Sequence, residues 1–222
     1  KISISNAKEL EGLNVGVLAG STQHLTFIRM CKDLGLNIDA FNIVPLQFPD
    51  QLSALSNGQV DMIATTEPWI TKTKAIMDVT KLCSGIESYI PGDEKEVNWC
   101  NTYSCIIVQD DWVKEHADIL PGILRAMNKA TDYINEHRDD AIKILSEQLE
   151  LKEEEMRSMM EGNVYGFGVD DLYVSTTSEL LDFTKAEGMN QNGSDLKMSD
   201  YHDFSYLKEA LPDKYTAMVE FE

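Results

Sequence analysis

The chain has 222 residues, of which 43% are hydrophobic and 26% are charged, an ordinary balance for a globular protein. The formal net charge of −19 argues against a nucleic-acid partner, because the phosphates of such a partner would be repelled. No apolar run approaches the ~20 residues that a membrane-spanning helix needs, so no membrane span is expected.

The first half of the sequence alternates between strand and helix patterns. After each of three short apolar runs, a helical pattern begins, at Thr22, Pro49 and Glu67. Glycines at positions 35 and 58 follow the first two helical patterns and predict their ends. The apolar runs are "LNVGVLA", "NIVPLQ" and "VDMIATT". This β-α-β-α-β-α order predicts an α/β fold with a parallel sheet and helices on its faces.

The second half of the sequence is dominated by helical patterns. Residues 84–103 are typical of a loop, and "SCIIVQ" at 104–109 predicts one further strand. From residue 110 onward apolar residues recur at helical spacing, and "NQNGSD" at 190–195 predicts a turn-rich loop. We therefore expect an α/β ligand-binding lobe over 1–109 and a helix-rich part over 110–222.

Ligands of open parallel α/β sheets bind beyond the carboxyl ends of the strands, and this rule selects our candidate site. Tyr103, just before the last predicted strand, could reach the same cleft. Asp61 opens the third strand at its other end, so we interpret it as a turn or capping residue. The candidate ligand-binding residues are Gly20, Ser21, Thr22, Gln23, Gln47, Thr65, Thr66, Glu67, Trp69 and Tyr103.

The stretch Gly20-Ser21-Thr22 lies where the first strand meets the first helix. Ser21 or Thr22 would cap that helix, and the first-turn N–H groups would then favour an oxyanion. Taken alone, such a helix start is more often plain capping than a ligand site. Glu67 could accept a hydrogen bond from an amine of a ligand, or simply favour the helix start. Trp69 could stack on a ligand or belong to the core.

We find no pattern of residues typical of a catalytic or metal site. A dyad of Ser21 and His24 is conceivable, but a first-turn histidine more often faces solvent. The four cysteines show no metal-ligand spacing and the four histidines are scattered, so no metal site is expected. No other cofactor is expected either. Cys83 and Cys100 flank a loop, and whether they form a disulfide stays open.

Several segments, in this order, resemble type II periplasmic substrate-binding proteins of ABC importers. The likeness is greatest to the group that binds nitrate, sulfonates, taurine or thiamine precursors (NMT1/THI5-like). Its motifs are a strand leading into a Gly-Ser helix start, an "AL-x-x-G-x-VD" segment and an "EP" helix. They match Gly20-Ser21, residues 54–61 and Glu67-Pro68. The resemblance covers nearly the whole chain, but the βα units that build most of the family's first lobe are not found, so that lobe is expected to be incomplete. The resemblance also implies that the helix-rich part over 110–222 completes the lobe over 1–109 and contributes to the other lobe.

The resemblance implies a solute-binding protein that captures a small organic anion, zwitterion or heterocycle and delivers it to an ABC permease. It also implies an extracytoplasmic location, in the periplasm or at the cell surface as a lipoprotein. Ser21 and Thr22 would hold the oxyanion, and Glu67 a donor group. The alternatives are a ligand-sensing module of a larger receptor and a THI5-like biosynthetic enzyme. The cysteine-rich motif of the fungal THI5-like enzymes is not found here, which favours binding over catalysis.

Overall fold

The chain folds as two compact units, residues 1–101 and 102–222. The boundary falls after residue 101, whereas the sequence pattern placed it after residue 109. That the second part completes a ligand-binding lobe stays a prediction. The computed structural model describes residues 3–100, 102–161, 163–188 and 196–221, so the loop predicted at 190–195 lies outside the described residues.

A three-stranded parallel sheet lies at the centre of the first unit. Its strands are β1 (Asn14–Val17), β2 (Asn42–Pro45) and β3 (Met62–Ala64), in the spatial order β2-β1-β3. The C-terminal residues of the three strands are in register, since Val17 pairs with both Pro45 and Ala64. Central strand β1 is the most deeply buried of the three, as expected for a strand with a neighbour on each side. The predicted parallel α/β arrangement is confirmed.

Each strand of this sheet is followed by a helix. The helices are α1 (Thr22–Asp33), α2 (Phe48–Ser56) and α3 (Trp69–Ile76). The apolar side chains of α1 are buried, and Gly35 follows the helix end with a φ of +63°. A side chain is strained at that φ, which explains why the helical pattern stops at a glycine. The buried residues of α1 are Leu25, Phe27, Ile28, Met30 and Cys31.

The segment predicted as a loop at 84–103 contains a short antiparallel ladder. Its strands, β4 (Glu87–Ser88) and β5 (Lys95–Glu96), have only two residues each and lack an apolar alternation, so the prediction of a plain loop was wrong. Trp99 follows β5 and is buried in the core of the first unit. Its indole Nε1–H donates to the Asp33 carboxylate at 3.1 Å.

The second unit is helical. Two separate groups of buried side chains stabilise it, one around Ile142 and Met160, the other around Tyr173 and Val174. In the described part of the chain, no helix combines the length and apolar character needed to cross a lipid bilayer. The helices are α4 (Asp110–His116), α5 (Leu120–Glu136), α6 (Arg138–Leu149), α7 (Glu153–Glu161), α8 (Asp171–Ala186) and α9 (Ser205–Ala210).

The strand predicted at 104–109 is not formed. These residues have no regular secondary structure, and Ile107 is 92% exposed. A strand exists only through ladder hydrogen bonds to a neighbour. In the described residues of the second unit no strand lies beside this segment, so its apolar composition alone does not make it one.

Candidate functional site

The candidate site lies in the first unit, where the three parallel strands end side by side. Leu46 N–H donates to Val17 O at 2.8 Å, which extends the pairing of β1 and β2 to the edge of the sheet. The segments that leave this edge are 18–21 after β1, 46–47 after β2 and 65–68 after β3. Most of the residues singled out from the sequence therefore surround one edge, as expected for a parallel sheet.

The turn from β1 into α1 presents backbone N–H groups. Gly20 adopts a φ of +76°, and a Cβ at this position would meet no atom within 4 Å. Ser21 caps α1, its Oγ accepting from the His24 backbone N–H at 3.2 Å. Among the residues that the structure describes, the N–H groups of Thr22 and Gln23 have no acceptor. With the positive end of the helix dipole, they form a place suited to one oxyanion.

A second polar group without a partner lies at the end of β3. The hydroxyl oxygen of Thr65 is buried and, among the described residues, has no hydrogen-bond partner. A buried polar atom without a partner costs free energy, so it needs an explanation. A ligand atom that binds at the strand ends would supply one.

Glu67 contacts the start of α3, which is one of the two roles considered for it from the sequence. Its Oε2 accepts from the Thr71 N–H at 3.1 Å, so one carboxylate oxygen caps the start of α3. Trp69 is half-buried, and the Lys72 ammonium lies 4.5 Å from the centre of its ring. Whether either residue contacts a ligand stays a prediction.

A cavity of about 340 Å³ opens at the ends of β1 and β2. Gln47, predicted as a site residue, lies in its wall, together with Leu18, Ala19, Pro45, Leu46 and Asp50. Beside it, Gln51 is fully buried, and its Nε2 donates to Leu46 O at 3.2 Å. Its Oε1 has no partner among the described residues. Sequence reasoning missed Gln51, although a glutamine three residues before Ala54 on the buried face of α2 was a signal.

A larger depression, of about 640 Å³, lies elsewhere on the first unit, between α1 and residues 95–99. The Asp33 carboxylate crosses it to Lys95 at 3.0 Å and to the Trp99 indole at 3.1 Å. Chain contacts therefore already join its two sides. We interpret it as a structural junction rather than a ligand site.

The structure also bears on two contacts that the sequence leaves open, the Ser21–His24 dyad and the disulfide between Cys83 and Cys100. The contact between Ser21 Oγ and His24 is to the His24 backbone N–H, not to the ring. The ring Nδ1 instead accepts from the Gly20 N–H at 3.3 Å. All four cysteines are free thiols, so Cys83 and Cys100 form no disulfide. No group of three or more His, Cys, Asp or Glu within the described ranges is arranged to hold a metal ion.

Tyr103 lies in the second unit, unlike the other predicted site residues. Its ring packs edge-to-face against that of Tyr173, with the ring centres 5.1 Å apart. The Tyr173 hydroxyl contacts Cys105 Sγ at 3.2 Å and His202 Nε2 at 3.0 Å. A role for Tyr103 in ligand binding stays a prediction.

Comparison with known proteins gives a family and a fold. The family model described as "NMT1/THI5 like" matches residues 1–141. A protein of Bacillus subtilis (strain 168) named "Putative aliphatic sulfonates-binding protein" is 24% identical over 213 residues, which are 95% of this chain and 60% of that protein. A Brachyspira hyodysenteriae protein named as an ABC transporter periplasmic binding protein is 27% identical over 57% of this chain and 34% of its own length.

Among solved structures, the periplasmic aliphatic sulphonate binding protein SsuA from Escherichia coli superposes with a TM-score of 0.69. The alignment covers 93% of this chain and 68% of that one, at 16% identity. At this identity the likeness shows the fold, which is that of type II periplasmic binding proteins. The present chain spans less than two thirds of the length of the two sequence relatives.

Proposed function

This chain belongs to the NMT1/THI5-like family, and on that premise we propose that it is a solute-binding protein of an ABC importer. The relatives are named as binding proteins, one of them for aliphatic sulfonates and one for ABC transport. We extend both names to this chain: its ligand is a small organic anion of the sulfonate class, and its protein partner is an ABC permease. Its place is outside the cytoplasm.

The observation that carries this proposal is the pair of unpartnered N–H groups at Thr22 and Gln23, in the part of the chain that the structure describes. A sulfonate has three oxygens that accept hydrogen bonds and a full negative charge. Two N–H groups at the positive end of a twelve-residue helix complement that charge at contact distance. The net charge of −19 does not oppose this, because salt screens surface charges beyond about 8–10 Å.

Thr65 supplies the most selective test, because its hydroxyl has no partner among the described residues. Thr65→Val keeps the shape of the side chain and removes the buried unpartnered hydroxyl. We expect this variant to be at least as stable as the parent protein. It should bind ethanesulfonate about tenfold more weakly or worse, since a hydrogen bond to a charged group contributes about 1.5–3 kcal/mol. Thr80→Val, at an exposed position outside the site, is the matched control.

The measurement is isothermal titration calorimetry with ethanesulfonate, taurine and nitrate, preceded by a thermal-shift screen. A ligand at about 100 times its dissociation constant stabilises the folded state by about 2.7 kcal/mol, which shifts the melting temperature clearly. No shift with any of the three compounds would argue against the proposal. If Thr65→Val and Thr80→Val bound ethanesulfonate with equal affinity, Thr65 would not contact the ligand.

Glu67 decides whether the ligand carries an amine. One of its oxygens is engaged by the Thr71 N–H, which leaves the other able to accept from an ammonium group. If it does so, Glu67→Gln weakens the binding of taurine, which has an ammonium group, and leaves the binding of ethanesulfonate, which has none, unchanged. Equal losses for the two compounds would limit Glu67 to capping α3.

A further inference from the structure

The ring of His24 makes a contact that neither the family match nor the proposed function explains. Its Nδ1 accepts from the Gly20 N–H at 3.3 Å, while its own backbone N–H donates to Ser21 Oγ at 3.2 Å. One residue of α1 thus contacts two consecutive residues of the turn that leads into it. The contact of the ring joins the Gly20 end of the turn to the first turn of α1.

We propose that His24 is a positioning residue, a neutral imidazole whose Nδ1 holds the Gly20–Ser21 turn in the conformation that binds the oxyanion. The proposal rests on the proposed function for its ligand, but the contact itself joins only two groups of this chain. It assigns the ring a structural acceptor role instead of the catalytic role considered for a Ser21–His24 dyad.

The contact determines which ring nitrogen carries the proton. An N–H of the backbone can only donate, so Nδ1 must offer its lone pair, and the single proton of the neutral ring lies on Nε2. Protonation of Nδ1 would turn two donors toward each other. This contact between the Gly20 N–H and His24 Nδ1, which we call the clasp, therefore requires the neutral ring.

The burial of the His24 ring also favours its neutral form. Half-burial of the ring lowers the pKa of His24 below its usual value, since a charged imidazole loses solvation there. α1 packs against β3, which has no ionisable side chain, and against the 3₁₀ turn Ile38–Ala40, which carries Asp39. It also packs against the 3₁₀ turn Ala7–Leu10, which carries Lys8 and Glu9, and against residues 95–99, which carry Lys95 and Glu96. Glu67 follows β3, and α1 itself carries charges at Arg29, Lys32 and Asp33, all beyond its first turn. The cause of the shift is burial, so the ring is neutral at pH 7 without help from these charges.

The turn needs such a clasp because Gly20 is free to adopt other conformations. A glycine at φ +76° loses more conformational entropy on ordering than other residues, and space around its Cα is open. Without the Nδ1 contact the turn would sample other states. The turn would then lose conformational entropy when an anion binds, and this cost would lower the affinity for the anion.

Two substitutions of His24 test whether the hydrogen-bond acceptor at the position of Nδ1 matters independently of the imidazole ring. An asparagine side chain would place an amide oxygen near the position of Nδ1 and does not titrate, so His24→Asn is expected to bind ethanesulfonate with nearly the affinity of the parent protein. His24→Leu removes the acceptor, and we expect binding about 3- to 10-fold weaker, the loss that one neutral hydrogen bond produces. His137→Leu, at an exposed position in the second unit, is the control.

A ligand-free readout keeps this inference separate from the proposed function. In nitrogen NMR spectra at mildly alkaline pH, the His24 ring should show an unprotonated Nδ1 and a protonated Nε2. The Gly20 amide resonance should move as His24 titrates below its usual pKa, and should not move in His24→Asn. In the His137→Leu variant, the Gly20 amide should respond to pH as in the parent protein.

Each outcome either supports the inference or overturns it. The clasp would be overturned by a proton on Nδ1 in the neutral ring. It would also be overturned if the Gly20 amide resonance did not move as His24 titrates. Folded His24→Leu that binds as tightly as the parent, or His24→Asn that binds as weakly as His24→Leu, would overturn the positioning role. If no sulfonate binds the parent protein, the proposed function fails, and the role in anion binding fails with it, while the NMR result still decides whether the clasp exists.

Discussion

The Asp61 carboxylate binds Asn14 twice. Its Oδ2 accepts from the Asn14 backbone N–H and from the Asn14 side-chain amide, each at 2.8 Å. The Asp61 N–H in turn donates to Asn14 O at 2.9 Å. This contact joins the start of β3 to the start of β1, at the end of the sheet opposite to the candidate site. The sequence predicted Asp61 to be a turn or capping residue, and the partner of its carboxylate, 47 positions away, could not be seen from the sequence.

Removal of this carboxylate should destabilise the first unit. Asp61→Ala leaves the half-buried Asn14 N–H and amide without their acceptor, and we expect a loss of about 1–3 kcal/mol in the free energy of unfolding. Urea unfolding followed by tryptophan fluorescence measures it, since Trp69 and Trp99 both lie in the first unit. Asp39→Ala, at an exposed aspartate, should change stability by less than about 0.5 kcal/mol. Similar values for the two variants would refute this role of Asp61.

The cap of α1 makes a separate contribution to stability. Ser21→Ala removes the acceptor of the His24 N–H and should cost about 1 kcal/mol, while Ser21→Thr, which keeps a hydroxyl, should retain most of the stability. Thermal unfolding of the three proteins without ligand measures this difference. If Ser21→Thr were as unstable as Ser21→Ala, the hydroxyl would not be the stabilising group.

Two thiols should resist alkylation in the native protein. Burial raises the pKa of Cys83 to about 11 and that of Cys31 to about 12, so thiolate, the reactive form, is scarce at mildly alkaline pH. Against an ordinary thiol, the thiolate fraction of Cys83 is about 100-fold smaller. Exposed Cys105 should therefore react with iodoacetamide first.

Peptide mass spectrometry after timed labelling separates the four sites. Labelling in concentrated urea is the control, because there the four rates should converge. Cys83 reacting as fast as Cys105 in the native protein would contradict the burial described here.

Tyr173 should be important for the second unit. Its hydroxyl lies between Cys105 and His202, and burial, with the neighbouring thiol, raises the pKa of Tyr173 well above its usual value. The hydroxyl therefore stays protonated, and His202 Nδ1, which faces Met198 O at 2.9 Å, must be the protonated nitrogen of the neutral ring. Tyr173→Phe leaves His202 Nε2 without its donor.

We expect Tyr173→Phe to lower the free energy of unfolding by about 1–3 kcal/mol. The matched control is Tyr133→Phe, because the Tyr133 hydroxyl contacts Asp140 at the exposed surface and contributes little. Calorimetric unfolding of both variants tests the difference. If Tyr133→Phe proved the more costly change, the buried network would not stabilise the unit.

Local patterns in the sequence were sufficient for the three parallel strands and the helices that follow them. Val15 and Val17 form a short apolar run, and Gly35 ends α1, both visible without any distant contact. The pattern failed at residues 104–109, where an apolar run has no strand beside it in the described chain, and at β4 and β5, whose polar residues pair all the same. Strand formation depends on a partner, and a partner is not a local property.

The sequence by itself determined where the candidate site lies, because Gly20-Ser21 and Glu67 follow strands whose carboxyl ends must meet in a parallel sheet. Only the tertiary structure decided which atoms there lack a partner. The N–H groups of Thr22 and Gln23 and the Thr65 hydroxyl are unpaired in the described chain, whereas the Gly20 N–H is taken by His24. The physical reason is that a hydrogen bond depends on distances between groups in the folded chain, and a residue's type and position in sequence do not specify them.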